Sequence, residues 1–281
     1  MSAGTIQFDY LRQMWNLRYF WFSLVRNDLR SRYRRSVLGI GWSLLRPIGM
    51  TAVFCLVFGS IFQEKLTTFA PYVLLGMTTW QFLVESINIG CHSFTIGGAY
   101  IRQQKIPHAI FPLRIVLAAS FHFSVALALA IGLVCFFQVF FPPDAAEALR
   151  SGGGISWAAL LALPPALILL FLLGWSLAII SGVAQTHFPD TSHLLEIVLQ
   201  ILFYLSPIMY NPDRLPGMIG LKRVMAWNPV HAILDLIRQP ILKGQIPPLE
   251  SVLVVVAAVA IAGSLAIYLL RRLERSLVFW L

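Results

Sequence analysis

Apolar stretches about as long as a membrane is wide recur along this chain. A helix needs about 20 residues to cross about 30 Å of hydrocarbon. Six stretches approach that length, and we place spans at 47–63, 70–90, 113–140, 156–185, 191–210 and 249–270. The pattern predicts an all-α polytopic membrane protein with six transmembrane helices, whose two ends lie on the same side of the membrane.

An amphipathic segment precedes the first span. On a helical wheel of residues 11–34, one narrow arc is polar and nearly all of the remainder is apolar or aromatic. The polar arc holds Arg12, Asn16, Ser23, Asn27, Arg30 and Arg34. This distribution favours an interfacial helix that lies in the lipid head-group layer with its apolar side down. A helix packed on the protein's own core is the alternative.

Prolines interrupt the chain before the last span. Between residues 211 and 248, short apolar pieces alternate with prolines at positions 212, 216, 229, 240, 247 and 248. Two short re-entrant outer helices between the fifth and sixth spans fit this pattern, provided that protein or water surrounds the backbone where it leaves the helix. An ordinary ordered outer loop is the alternative.

These patterns give a single transmembrane domain over residues 1–281. The interfacial helix and the cytoplasmic access region take up about residues 8–45, and a six-helix core follows at 47–270. Within that core we separate the connection at 99–114 and the outer loop at 211–248, and residues 271–281 form a tail.

The composition supports a membrane protein, and the charges orient it. Hydrophobic residues make up 58% of the 281 residues and charged residues only 12%. The net charge of +9 could indicate a nucleic-acid partner, but eight of the 21 Lys and Arg residues lie between Arg12 and Arg46, beside the first span. Cations near span ends mark the cytoplasmic side. We therefore expect both termini in the cytoplasm and no nucleic-acid partner, although the outer loop at 211–248 is basic against this rule.

Sequence motifs for chemistry are few. The chain has no GxxxxGK[ST] phosphate loop, so any ATP hydrolysis must come from a partner. Glu85, His122 and Glu196 are candidate ionisable groups inside spans, and structural roles are the alternative for Glu85 and His122. Without a paired acidic motif, an HExxH motif or a nucleophile elbow, we expect a transport subunit with no catalytic residues and no metal site, rather than an enzyme.

Two further segments are suited to contacts with other molecules. The connection at 99–114 combines cations, glutamines and two prolines, and it is typical of a short cytoplasmic helix that docks in a partner's groove. A plain connector is the alternative. Four aromatic residues near the predicted outer edge could bind the C–H faces of sugar rings along a substrate path, with an ordinary aromatic belt as the alternative. They are Phe203, Tyr204, Tyr210 and Trp227.

Two blocks of residues resemble a known family. The first contains Asp28-Leu29-Arg30, Arg32-Tyr33, Ser36, Leu38-Gly39, Trp42 and Pro47. The second contains 203–210, Leu215-Pro216, Asn228-Pro229, Arg238 and Gly244. In this order and at this length, the chain resembles the permease subunits of ATP-binding-cassette exporters for capsule, O-antigen and teichoic acid.

The resemblance implies partners, cofactors and a location. It implies a homodimer of this chain with two copies of a separate nucleotide-binding subunit, which would bind ATP and Mg²⁺, while this chain needs no cofactor. It also implies the bacterial cytoplasmic (inner) membrane and a lipid-linked polysaccharide as substrate. Periplasmic or outer-membrane export proteins are possible further partners.

The resemblance also assigns residues. Substrate access and head-group binding are expected at Arg30, Arg32, Tyr33, Arg34, Arg35 and Trp42. Coupling to the ATPase is expected at Arg102, Gln103, Gln104, Lys105, Ile106, Pro107, His108 and Phe111. The re-entrant outer helices would include Asn228, Pro229 and Arg238.

Two positions depart from the family pattern, and two other functions remain open. His108-Ala109 stands where relatives often have an acidic residue, and Pro189-Asp190 lacks the arginine that often precedes the aspartate. The alternatives to polysaccharide export are export of a small lipid or drug by the same architecture and, from another class, an intramembrane enzyme acting on lipid-linked sugars.

Overall fold

The described part of the chain is helical. A computed structural model describes residues 10, 12–34, 36–62, 65–103, 106–141, 156–210, 225 and 227–280, and it contains no strand within them. The helices are α1 Arg18–Tyr33, α2 Gly41–Phe62, α3 Leu66–Cys91, α4 Ser93–Gln103, α5 Ile110–Phe140, α6 Trp157–Leu160, α7 Leu163–His187, α8 Thr191–Leu205, α9 Pro229–Arg238 and α10 Leu249–Trp280. Predicted features at Arg35, Gln104, Lys105 and 211–224, including Leu215-Pro216, lie outside the described residues.

Four helices in the described part of the chain are long and apolar enough to cross a membrane. They cover Gly41–Gly59, Ile110–Phe140, Ala158–His187 and Leu249–Arg272. These segments coincide with the first, third, fourth and sixth predicted spans. The predicted spans at 70–90 and 191–210 overlap α3 and the shorter apolar helix α8. The prediction of an all-helical membrane protein is confirmed, and the count of six spans stays a prediction.

The centre of the molecule is formed by α3 and α7. Helix α7 packs against α3 and α10, and α3 also packs against α5 and α2. Small residues allow α3 and α7 to approach closely, because a Cβ added at Gly90 would lie 2.7 Å from Cβ of Ala178. Gly174, Ala178 and Gly182 recur every four residues on α7, the spacing that lets membrane helices pack backbone to backbone. The main core therefore lies along this seam.

A second apolar cluster surrounds the connection between α4 and α5. Ile106, Ala109 and Phe111 are buried there with residues of the N-terminal segment, α7 and α10. The backbone of Ala109 is held on both sides: its N–H donates to Oη of Tyr10 at 3.2 Å, and its carbonyl accepts from Nε1 of Trp175 at 3.3 Å. The connection is therefore anchored to two separate elements.

A buried arginine fixes α9 to the end of α8. Arg238 is 5% exposed, and its guanidinium donates to three backbone carbonyls, those of Pro207 at 2.7 Å, Ile208 at 2.5 Å and Tyr72 at 3.0 Å. It also stacks 3.7 Å from the ring centroid of Tyr72. These contacts satisfy carbonyls in the 206–210 segment, where the helix has ended and intrahelical partners are lost.

Candidate functional site

The N-terminal helix has one buried face and one exposed face. Met14, Leu24 and Val25 are buried, and α1 packs against α5. All six residues of the predicted polar arc are exposed. Beside that arc lie three exposed aromatic side chains, Trp15, Tyr19 and Phe22. The helix thus packs on the protein's own core through one face and presents aromatic and basic side chains on the other, as a helix in the head-group layer would.

An ion pair joins α1 to α3. Nη2 of Arg32 lies 2.9 Å from Oε1 of Glu85, and Gln81, one turn earlier on α3, donates to the same oxygen at 3.2 Å. The Glu85 side chain is 13% exposed and that of Arg32 43% exposed. The carboxylate in the middle of α3 is therefore balanced by a cation from the N-terminal helix.

A second ion pair joins α1 to α5, and in this pair α1 supplies the carboxylate instead of the cation. Nε of Arg114 lies 3.6 Å from Oδ2 of Asp28, four residues before Arg32 on α1. Burial raises the pKa of Asp28, and the positive charge of Arg114 opposes that rise. Arg114 is only 5% exposed, so its guanidinium lies inside the protein with this carboxylate as its neighbour.

A hydrogen-bonded group lies next to the two ion pairs. Oη of Tyr33 is 2.8 Å from Nδ1 of His122, and Oγ of Ser43 is 3.2 Å from the same nitrogen. Tyr33 and Ser43 also contact each other through their hydroxyls. His122 is 6% exposed, and its Nε2 has no hydrogen-bond partner among the described residues. When a hydroxyl donates to Nδ1, the ring proton resides on Nε2, which is then a free donor.

These groups border a cavity of about 190 Å³ between α1, α3, α4 and α5, which we call the inner cavity. Its polar lining is Asp28, Arg32, Glu85, Arg114 and His122. A smaller cavity of about 30 Å³ shares Glu85 and His122 with it. The five groups come from three helices, so only the folded chain brings them together.

The other predicted head-group residues lie outside the inner cavity. Arg30 and Arg34 are exposed near the end of α1, and Trp42 is 55% exposed at the start of α2. Arg35 lies outside the described residues. The structure therefore divides the predicted set into Arg32 and Tyr33, which face the bundle, and a group on the surface.

The predicted coupling residues divide in the same way. Arg102 and Gln103 are exposed at the end of α4, whereas Ile106, Pro107 and Phe111 are buried and His108 is half-buried. Phe111 packs against Gly97, where an added Cβ would lie 2.4 Å from the ring. Gln104 and Lys105 lie outside the described residues. A partner protein could therefore contact the exposed end of α4 directly. It could act on the buried residues of this connection only through α4.

The predicted aromatic path is partly packed. The ring of Phe203 lies 5.9 Å from that of Trp80, so it contributes to the core. Tyr204 and Trp227 are 62% and 78% exposed, and Oη of Tyr210 donates to the Tyr204 carbonyl at 3.3 Å. Only the exposed rings present a free face.

The predicted outer-helix residues have structural contacts. Asn228 caps α9, accepting from the N–H of Val230 at 2.9 Å and donating to Oγ of Ser206 at 3.0 Å. Pro229 occupies the first turn, where its missing N–H costs nothing. Together with Arg238, Asn228 ties α9 to the end of α8.

Sequence reasoning missed the pairing of Asp28 with Arg114. Asp28 and Arg32 are four residues apart, so a helix places them on one face. Glu85 in an apolar span also required a partner. These two signals indicate that a face of α1 meets the bundle, but they do not identify Arg114 or His122.

Comparisons with known proteins add a family and relatives. The model of the ABC-2 type transporter family matches residues 19–242, which include every residue of the inner cavity. A protein named O-antigen export system permease protein RfbA from Klebsiella pneumoniae is 22% identical over 227 residues, covering 80% of this chain and 82% of the relative. A protein of the same name from Myxococcus xanthus is 21% identical over 253 residues, covering 89% and 90%. The similarity therefore extends along most of each protein.

Proposed function

The chain belongs to the ABC-2 type transporter family, and we propose that it is the membrane permease subunit of an ATP-driven exporter that moves a lipid-linked cell-surface polysaccharide outward across the cytoplasmic membrane. The observation that carries this proposal is the similarity to O-antigen export permeases from two organisms along 80% and 89% of this chain. The match to the family model, over residues 19–242, includes nearly all of α1 and all of α9.

The proposed topology has six spans with both termini in the cytoplasm. Helix α3, with 26 residues, is about 39 Å long and exceeds the hydrocarbon thickness, which supports its role as the second span. Helix α8, with 15 residues, reaches only about 22 Å and would need the following 206–210 segment to complete a fifth span. Helix α9, tied to that segment by Arg238, would be one of two re-entrant outer helices.

The proposed assembly is a homodimer with two copies of a separate ATPase, which binds ATP and Mg²⁺. Exposed apolar side chains along α2 and α10 would face lipid or the second copy. In an apolar 18-residue window of each of these two spans, only 11% of the residues are buried within one chain, against 56% of the corresponding window in the span that contains α7. The exposed end of α4, with Arg102 and Gln103, would dock on the ATPase. The buried turn at Ala109 would pass the movement to the N-terminal segment and α7 through its two hydrogen bonds.

Substrate would approach from the cytoplasmic side along α1. Guanidinium groups bind phosphate oxygens bidentately, so Arg30, Arg34 and Arg35 are suited to attract an anionic head group. The exposed rings of Trp15 and Trp42 would lie at the lipid interface, the depth that tryptophan prefers. When ATP closes the partner subunits, rigid-body movement through α4 would open a path between the two permease copies.

Past the membrane centre, the exposed faces of Tyr204 and Trp227 would support the sliding sugar chain. Stacking on pyranose C–H faces does not fix register, so these rings suit a polymer of any length. Export proteins of the periplasm or outer membrane would continue the path.

The test is deletion of the gene in its native host, with surface glycan and cell-internal lipid-linked glycan both assayed. We expect loss outside and accumulation inside, restored by the wild-type gene. A variant with Arg102→Glu and Gln103→Glu should insert but fail to restore export, because two negative charges would alter the exposed surface that docks on the ATPase. The matched control changes two exposed residues beyond α9, Lys243→Glu and Gln245→Glu, and should restore export.

Two outcomes contradict the proposal. Loss of glycan both outside and inside, with no accumulated intermediate, favours the intramembrane enzyme. Normal surface glycan in the deletion strain favours an exporter of a small lipid or drug.

A further inference from the structure

We propose that the inner cavity is a binding site for the phosphate head of a lipid, with Arg114 and Arg32 as the phosphate ligands. This inference rests on the proposed function, because the lipid in question is the one that links the exported glycan to the membrane. It identifies a site inside the bundle rather than on the exposed arginines at the end of α1. While no ligand is bound, Asp28 and Glu85 are the counter-ions of Arg114 and Arg32.

The first argument is the incomplete partnering of Arg114. This side chain is only 6% exposed, and among the described residues its Nε has no hydrogen-bond partner. Its carboxylate neighbour, Asp28, is 3.6 Å away, whereas charge-assisted hydrogen bonds are about 2.7–2.9 Å long. A buried cation held this loosely is unfavourable unless an anion completes it. A phosphate, with several acceptor oxygens, meets that need better than one distant carboxylate.

The second argument is the unpartnered ring nitrogen of His122. Its Nδ1 is occupied by the hydroxyls of Tyr33 and Ser43, and its buried Nε2 has no partner in the described part of the chain. His122 lines the inner cavity together with both arginines. Two arginines therefore border the same space as His122, whose Nε2 is a donor in the tautomer in which a hydroxyl donates to Nδ1, and this arrangement is suited to a tetrahedral anion.

The third argument concerns size and the apolar part of the lining. The cavity, of about 190 Å³, is more than ten times the roughly 15 Å³ that one water molecule requires. The side chains between its polar groups are aliphatic, namely Leu29, Ile89, Ile96, Ile115, Ala118 and Ala119. A free phosphate would leave these side chains against water. A lipid phosphate would place its first carbon atoms against them.

The charge balance limits the cost of the empty site. Two arginines and two carboxylates sum to zero, so no net charge is buried before substrate arrives. A phosphate that takes over Arg32 and Arg114 releases Glu85 and Asp28 and so breaks two of the polar contacts between α1 and the helices α3 and α5. Binding would therefore loosen α1 only when the head group is present.

The experiment measures binding of radiolabelled dodecyl phosphate to the purified full chain in phosphatidylcholine nanodiscs. We expect Arg114→Gln and Arg32→Gln each to weaken binding at least about tenfold, since each removes a charge-assisted hydrogen bond to the phosphate. The matched control Arg12→Gln, exposed at the start of the N-terminal segment, should change affinity less than about twofold, because it touches neither the cavity nor the ligand.

Two further variants keep the test independent of folding defects. Asp28→Asn and Glu85→Gln each remove a competitor for an arginine, so each should tighten binding severalfold, and a damaged protein does not gain affinity. Equal affinity of wild-type, Arg114→Gln and Asp28→Asn proteins would overturn the site.

Competition experiments distinguish the sources of the phosphate. Lipid-linked glycan extracted from the deletion strain should displace dodecyl phosphate, whereas inorganic phosphate and phosphatidylglycerol should not. Displacement by phosphatidylglycerol and not by the extract would overturn the assignment to substrate. If deletion abolishes surface glycan but dodecyl phosphate does not bind, the site is wrong and the exporter stands. If dodecyl phosphate binds but surface glycan is normal in the deletion strain, the exporter is wrong.

Discussion

The contact between Gly76 and Arg238 gives a quantitative prediction for Gly76→Ala. A Cβ at this position would lie 2.1 Å from Nη2 of Arg238 and 2.6 Å from the carbonyl oxygen of Ile208. Because non-bonded heavy atoms prefer about 3.5 Å or more, the guanidinium must move by about 1.4 Å. That movement breaks the hydrogen bonds from Nη2 to the carbonyls of Ile208 and Tyr72.

The size of the effect follows from those two bonds. Hydrogen bonds to charged groups contribute about 1.5–3 kcal/mol each, so their loss costs about 3–6 kcal/mol. Alanine in a helix is better than glycine by about 1 kcal/mol, which offsets part of the loss. The net loss of stability is about 2–5 kcal/mol, and in a chain of this size that lowers the melting temperature by roughly 3–8 °C.

The assay is thermal unfolding of the purified protein in one detergent, followed by tryptophan fluorescence. Gly132→Ala in α5 is the matched control, because a Cβ there meets no atom within 4 Å. It should leave the melting temperature unchanged or slightly higher. A second pair of proteins, Arg238→Met and Arg238→Met with Gly76→Ala, tests the cause. In that background the added methyl should cost at most half as much, since only the Ile208 carbonyl remains in its way.

The reasoning would be refuted by either of two results. One is a Gly76→Ala protein with the same melting temperature as the Gly132→Ala control. The other is an equal loss in both backgrounds, because a clash with Arg238 must couple the two positions.

Three further predictions use the same unfolding assay. Gly182→Ala should cost about 1–2 kcal/mol of stability and lower the melting temperature, because its Cβ would lie 2.8 Å from Oγ of a serine in α4. The control Gly49→Ala, whose Cβ would meet no atom within 4 Å, should not lower it. Equal melting temperatures of the two variants would contradict the close packing of α7. Arg32→Glu and Glu85→Arg should each destabilise the protein by about 1–2 kcal/mol, a value reduced because the arginine is partly exposed. The double variant, in which the two charges are swapped, should recover most of that loss. A double variant no more stable than the less stable single variant would exclude the ion pair. Burial raises the pKa of Asp28, although the positive charge of Arg114 in α5 opposes that rise. Between pH about 4 and the raised pKa, the folded state therefore keeps a carboxyl proton that the unfolded chain has lost, so the stability should fall as the pH rises through this range. Asp28→Asn should remove that slope, while parallel slopes in the two proteins would count against the assignment.

Several local features of the fold were predictable because helices depend on nearby residues. Four predicted apolar stretches coincide with helices long enough to cross a membrane, and the 3.6-residue period correctly predicted the exposed polar side of the N-terminal segment. The Asn228-Pro229 pair also marks a helix start by itself, since Asn is a good N-cap and Pro suits the first turn.

The contacts of the candidate site were less predictable. Glu85 and His122 stand out in the sequence as polar groups in apolar spans, but their partners lie 53 and 89 residues away in the chain. Arg114 lies next to an expected span boundary, where cations are common, and nothing local separates a surface cation from a buried one. Gly76 likewise gives no local sign that Arg238 lies against it.

The sequence by itself determined the class of protein and the positions of its long apolar helices, and it predicts that the basic N-terminal segment lies on the cytoplasmic side. Hydropathy and helix period are sums over neighbouring residues, so they need no tertiary information. Only the tertiary structure decided which helix faces meet, and with them the pairs Arg32 with Glu85 and Asp28 with Arg114, the burial of the turn at Ala109, and the contacts of Arg238. The physical reason is that the sequence does not distinguish an apolar side chain that faces lipid from one that faces the core. Which helices pack together therefore depends on small residues and polar groups that are far apart in the chain.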